Sequence, residues 1–204
     1  PPLHRFRRRE VYLKLPALVS FTAGLVPALA AGWLLFPRLI YKTEAQPLPF
    51  NHKVHAEQGM ACGDCHAVAE DGRFAGIPKT ESCAGCHAEK AENAGVNALV
   101  ERYVEPGAEV PWLSNARQPD NVYFPHASHV TGEKVACARC HGPHGESTAV
   151  RPVQVNRLSG YPRDIWGPSI SRLRRAEWQG MKMSDCIACH RAGGRESACI
   201  DCHK

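Results

Sequence analysis

Every cysteine in this 204-residue chain belongs to one repeated pattern. The ten fall as Cys62/Cys65, Cys83/Cys86, Cys137/Cys140, Cys186/Cys189 and Cys199/Cys202, each pair spaced Cys-x-x-Cys. A histidine follows each pair at once: His66, His87, His141, His190 and His203. A ring closed over Cys-x-x-Cys is too tight to act as a structural bridge five times running. Zinc would use the thiolates but gives no reason for a histidine after every pair. Two thiols that add to the vinyl groups of a porphyrin, with the next residue ligating its iron, use every position of the pattern. The sequence therefore predicts five haem c groups and nominates no catalytic residue.

Each iron then needs a second ligand from outside its own motif. The other histidines are His4, His52, His55, His126, His129 and His144. Four of them recur in a pattern: Phe50-x-His52-x-x-His55 leads to Cys62, and Phe124-x-His126-x-x-His129 leads to Cys137. They are assigned as distal ligands, His52 and His55 to the haems of the first repeat, His126 and His129 to those of the second. The fifth position stays open between His144, in the turn sequence Gly-Pro-His-Gly, and Met181 or Met183 just ahead of Cys186. His4 and Met60 are read as ordinary residues.

The same recurrence sets the domain plan. Each Phe-x-His-x-x-His is followed by two motifs, giving repeats over about 50–87 and 124–203, the latter with the Cys199 motif appended. The haem domain spans 52–204, with about 33 residues for each porphyrin, so apolar burial has to come from protein on haem. The fold class expected is a multihaem cytochrome c with little regular secondary structure, short helices around the haems and no strand. Ala88 to Val104 has helical composition, ended by Pro106-Gly107. The cysteine-free stretch 142–185 carries Arg151, Arg157, Arg163, Arg172, Arg174, Arg175 and Lys182. It reads either as a solvated loop or as a basic strap for haem propionates or another subunit.

Residues 1–16 form a basic tail: positions 1–14 hold +4 of the formal net charge of +5, so the remainder is near neutral and nucleic-acid binding is not favoured. Residues 17–36 are uncharged and as long as the roughly 20 residues a spanning helix needs, with a kink expected at Pro27. Residues 37–51, with Pro37, Pro47 and Pro49, read as an extended linker. Ala28-Leu29-Ala30 would also suit a signal-peptide cleavage site. The reading adopted is a retained single-pass anchor in the lipid bilayer of the cytoplasmic membrane, N-terminus inside and haem domain outside.

Phe-x-His-x-x-His ahead of Cys-x-x-Cys-His resembles the class III multihaem cytochromes, the cytochrome c3 and c7 group. There the first such histidine ligates the nearest haem and the second a neighbouring one, which implies the same roles for His52, His55, His126 and His129. With its basic N-terminus, single membrane helix and five such sites, the chain resembles the pentahaem subunit of bacterial alternative complex III. That resemblance implies an electron-transfer subunit, not an enzyme in itself. Electrons from a membrane-embedded quinol-oxidising complex would pass through its iron–sulfur subunit and along the haems to a monohaem cytochrome c or a terminal oxidase.

The alternative is a membrane-anchored quinol dehydrogenase of the NapC/NirT type, which places methionine two residues after a motif histidine. Val68, Glu89, Pro143 and Ala192 stand there instead. A multihaem reductase would need an open iron or a lysine in place of a motif histidine, and all five motifs end in histidine. The motif count sets the first prediction: a pyridine haemochrome assay on mature protein should return five covalent haems per chain, and four or fewer would break the reading.

Overall fold

The computed structural model describes residues 3–162 and 180–203 and falls into two units, Pro1–Lys42 and Thr43–Lys204. The first unit is almost wholly helical. Helix α1 (Leu3–Leu34) runs 32 residues and passes through Pro16 and Pro27 without ending; α2 (Phe36–Ile40) follows. Leu15–Ile40 is 26 residues with a mean hydropathy of 1.8 and none of its side chains buried. At about 1.5 Å per residue that length exceeds a hydrocarbon core of ~30 Å. The helix satisfies its own polar group, because the Thr22 hydroxyl donates to the carbonyls of Leu18 and Val19, both at 3.0 Å.

The second unit begins at Thr43, within β1 (Tyr41–Glu44), which pairs with β2 (Val153–Asn156) in a two-stranded sheet. The rest is short helices: α3 (His52–Glu57), α4 (Cys62–Cys65), α5 (Thr80–Ala84), α6 (Ala94–Leu99), α7 (Cys137–His141), α8 (Met183–Ala192) and α9 (Cys199–Cys202). Side chains fix where several begin. Asn51 Oδ1 accepts from Val54 N at the start of α3, and Asn93 Oδ1 accepts from Gly95 N and Val96 N at the start of α6.

The structure departs from the sequence reading in three places. The helix expected over 88–104 begins only at α6, where Asn93 caps it, and continues as a π-helical turn through Val104. The stretch 37–51 is not wholly extended, since it contains α2 and most of β1's run into the sheet. It is also clamped: Gln46 donates to Leu113 O and accepts from Leu113 N, at 2.9 and 3.0 Å. The stretch 142–185 is not all surface, because β2 lies in it and Val153 is fully buried. Of the strap residues, Arg163, Arg172, Arg174 and Arg175 lie outside the described residues.

Among the described residues five apolar side chains are buried: Leu48, Leu99, Val100, Val110 and Val153. Leu48, Leu99 and Val110 form a cluster, with Cys83, Ala98, Tyr103, Val104 and Trp112 packed against it. Thr80 locks α5 onto that cluster. Its hydroxyl accepts from Val110 N at 2.9 Å, and its own amide donates to Glu109 Oε2 at 2.9 Å. One buried side-chain polar atom here finds no partner among the described residues, the indole Nε1 of Trp112. Leaving such a group unpaired costs about 1–3 kcal/mol.

Elsewhere large apolar side chains stand exposed beside the cysteines, including Val54, Met60, Met183, Ile187 and Ile200. A core this small cannot offset the entropy of ordering the unit. Protein made without haem attachment should therefore be degraded rapidly in limited proteolysis and show no compact species on sedimentation. A stable haem-free domain would show the polypeptide to be sufficient.

Candidate haem sites

The motifs work because a helical turn brings positions i, i+3 and i+4 to one face. In the first, second and fifth motifs the histidine amide donates to the carbonyl of the first cysteine: His66 to Cys62 at 2.8 Å, His87 to Cys83 at 2.9 Å and His203 to Cys199 at 3.0 Å. The third lies within α7 and the fourth within α8. Asp64 and Asp201 occupy the same place in α4 and α9. Each carboxylate accepts from the amide just before the first cysteine, Ala61 N and Ala198 N, both at 2.7 Å. All ten cysteines are free thiols, as vinyl addition requires.

The imidazoles are oriented through Nδ1. His55 donates to Asn51 O at 2.8 Å, His66 to Gly76 O at 2.7 Å, His126 to Arg73 O at 2.6 Å and His129 to Pro125 O at 2.9 Å. His52 and His190 pair through the same atom with the hydroxyls of Ser147 and Ser197. A carbonyl can only accept, so the proton is fixed on Nδ1 and the lone pair of Nε2 is presented to a metal.

Phe50 and Phe124 hold their histidine pairs alike. Phe50 meets His52 edge-on at 4.8 Å and stacks on His55 at 4.4 Å; Phe124 meets His126 edge-on at 4.9 Å and stacks on His129 at 4.4 Å. Burial, with His144, His66 and His55 nearby, pushes the His52 pKa down, which keeps that ring neutral near pH 7.

Ring centroids then stand opposite one another in pairs. His55 faces His87 at 6.1 Å, His126 faces His141 at 6.3 Å and His129 faces His190 at 6.1 Å. With metal–nitrogen bonds of ~2.0 Å, two imidazoles on opposite sides of one metal have centroids roughly 6 Å apart. The chain thus has the donor set and the spacing of six-coordinate haem irons. His52 is placed differently from the sequence reading: its ring faces His144 at 6.2 Å, with His66 farther off. Of the methionines considered, Met183 is exposed, while the Met181 amide donates to Cys140 O at 3.2 Å.

The motifs also adjoin one another. Burial raises the Cys83, Cys137, Cys140 and Cys186 thiols, and sulfur neighbours raise them further: Cys65 for Cys83, Cys62 for Cys137, Cys189 for Cys140, and Cys140 with Cys202 for Cys186. Cys62 and Cys137 are hydrogen-bonded. The backbone repeats two of these links. Met181 N reaches Cys140 O, and Tyr123 N, just ahead of Phe124, reaches Cys202 O at 2.7 Å. The sequence carried the phenylalanines within its repeat, but Ser147, Ser197 and Trp112 had no recurring pattern to reveal them.

Residues 54–151 match the Cytochrome c3 family. Over 201 residues, 90% of this chain and 89% of the relative, the sequence is 37% identical to the menaquinone reductase, multiheme cytochrome c subunit, of Nitratidesulfovibrio vulgaris.

One glycine sets the His126 turn in place. Gly72 has φ of +71°, its carbonyl accepts from Ala127 N at 2.9 Å, and an added Cβ would stand 3.0 Å from Ala127 Cβ. Gly72→Ala should cost about 1–3 kcal/mol and displace His126 from His141. Thermal unfolding should fall, and a high-spin signal should appear at one iron. Unchanged melting and an unchanged low-spin spectrum would show that the close approach is not needed.

Proposed function

This chain belongs to the cytochrome c3-like multihaem cytochromes, and from that premise we propose that it is the electron relay of a membrane complex that exchanges electrons with menaquinone. Five haem c groups, one on each motif, supply the one-electron couples. The chain's own residues do the rest. Cysteine pairs tether the porphyrins; His87, His141 and His190 ligate from one side, and His55, His126 and His129 from the other. His52 and His144 supply ligands at the repeat junction. Nδ1 hydrogen bonds and the two phenylalanines hold those rings in the orientation ligation needs.

The observation that carries the relay is the unbroken series of motif neighbours. Cys83 adjoins Cys65, Cys62 adjoins Cys137, Cys140 adjoins Cys189 and Cys186 adjoins Cys202. The order of centres is therefore second, first, third, fourth, fifth, with ends at the His87 and His203 motifs. Leu15–Ile40, long and apolar enough to cross a bilayer, serves as the anchor.

The relative's name favours electrons running toward menaquinone, delivered by a soluble cytochrome c and passed on to an iron–sulfur subunit. The resemblance to alternative complex III would set the opposite direction along the same series. Stopped-flow mixing of the detergent-extracted complex distinguishes them. We expect reduced monohaem cytochrome c to reduce the haems and a menaquinone analogue to reoxidise them only in the complex. Reduction by quinol with no reaction toward the cytochrome would reverse the direction, and quinol turnover by the isolated chain would make it a quinol dehydrogenase.

A further inference from the structure

The buried indole N–H of Trp112 has no acceptor among the described residues. Indole nitrogen only donates, so the missing partner is an acceptor. Its position says which one. Trp112 packs on the Leu48, Leu99 and Val110 cluster together with Cys83, the first cysteine of the second motif. On its other flank it meets Phe50 edge-on, with centroids 6.3 Å apart. Phe50 stacks on His55, whose ring faces His87, the histidine of that same motif. Trp112 therefore touches the attachment side and, through one ring, the far ligand side of a single haem site.

A haem offers few polar atoms at its edge. Its carboxylates are its acceptors, and no neutral edge of the ring would satisfy a donor. We propose that the Trp112 indole N–H donates a hydrogen bond to a propionate carboxylate of the haem held by Cys83, Cys86 and His87. The inference rests on the reading of that motif as a haem site. Its consequence is electronic: a donor on the propionate draws negative charge from the porphyrin edge, and hydrogen bonding of this kind is one of the protein's levers on potential. Trp112 is a tuning residue, acting on one centre of the series.

The test uses the full-length protein in detergent. Trp112→Phe keeps the aromatic ring and removes the donor. With full haem content, one redox transition should move to lower potential while the others stay, and Trp112→His, which restores a ring N–H, should move it back. In wild-type protein carrying 15N-labelled indoles, one of the four tryptophan N–H groups should exchange slowly with solvent and shift between oxidised and reduced forms. Transitions unmoved in a fully loaded Trp112→Phe variant overturn the assignment. Should that variant fail to load haem, a wild-type spectrum in which no indole N–H responds to oxidation state overturns it equally. Failure of the underlying reading looks different: a Cys83→Ala/Cys86→Ala variant would then keep its full haem content.

Discussion

Facing imidazoles kept just over 6 Å apart are the constraint on which the second unit depends. Polypeptide alone would not hold such a gap, because apolar surfaces brought to that spacing gain by closing it. Here each ring is fixed from behind. A backbone carbonyl or a serine hydroxyl takes Nδ1, and a phenylalanine takes the flank or the face. The space between rings is thus defined by groups outside it, which is the arrangement of a site built before it is filled.

The sparse core follows from the same constraint. Leu48, Leu99 and Val110 secure the second motif and the segment that carries Trp112, but apolar side chains such as Ile187 and Ile200, inside the motifs themselves, are exposed. Those positions are apolar because a porphyrin is to lie against them. Elsewhere the backbone is held by polar clamps, such as Gln46 on Leu113 and Thr80 on Val110. Directional bonds of this kind specify a register without needing volume to bury.

What was legible in the sequence divides along chain separation. The motifs, the repeated Phe-x-His-x-x-His and the apolar helix are local patterns, and their chemistry could be stated from spacing alone. The Phe–His stacking is local too, and both copies take the same geometry. What could not be read is long-range. His126 is set by Arg73 O, His52 by Ser147, and the second and third attachment sites are linked through the first by contacts between Cys65 and Cys83 and between Cys62 and Cys137. No periodicity records which loop carbonyl an imidazole will meet. The strand β2 escaped notice for the same reason, since four residues with one buried valine make no pattern until β1 lies beside them.

The pairing of His52 with His144 crosses from one repeat into the other. A ribosome delivers the chain from its N-terminus, so His52 exists long before the residue its ring will face, about ninety positions later. His55 and His87, by contrast, can meet within the first repeat. Maturation therefore has a built-in sequence. The His55 and His87 pair closes early and supplies a nucleus of short loop length, while the junction formed by His52 is sealed only after the third motif has emerged, which makes its closure a mark of a nearly finished molecule.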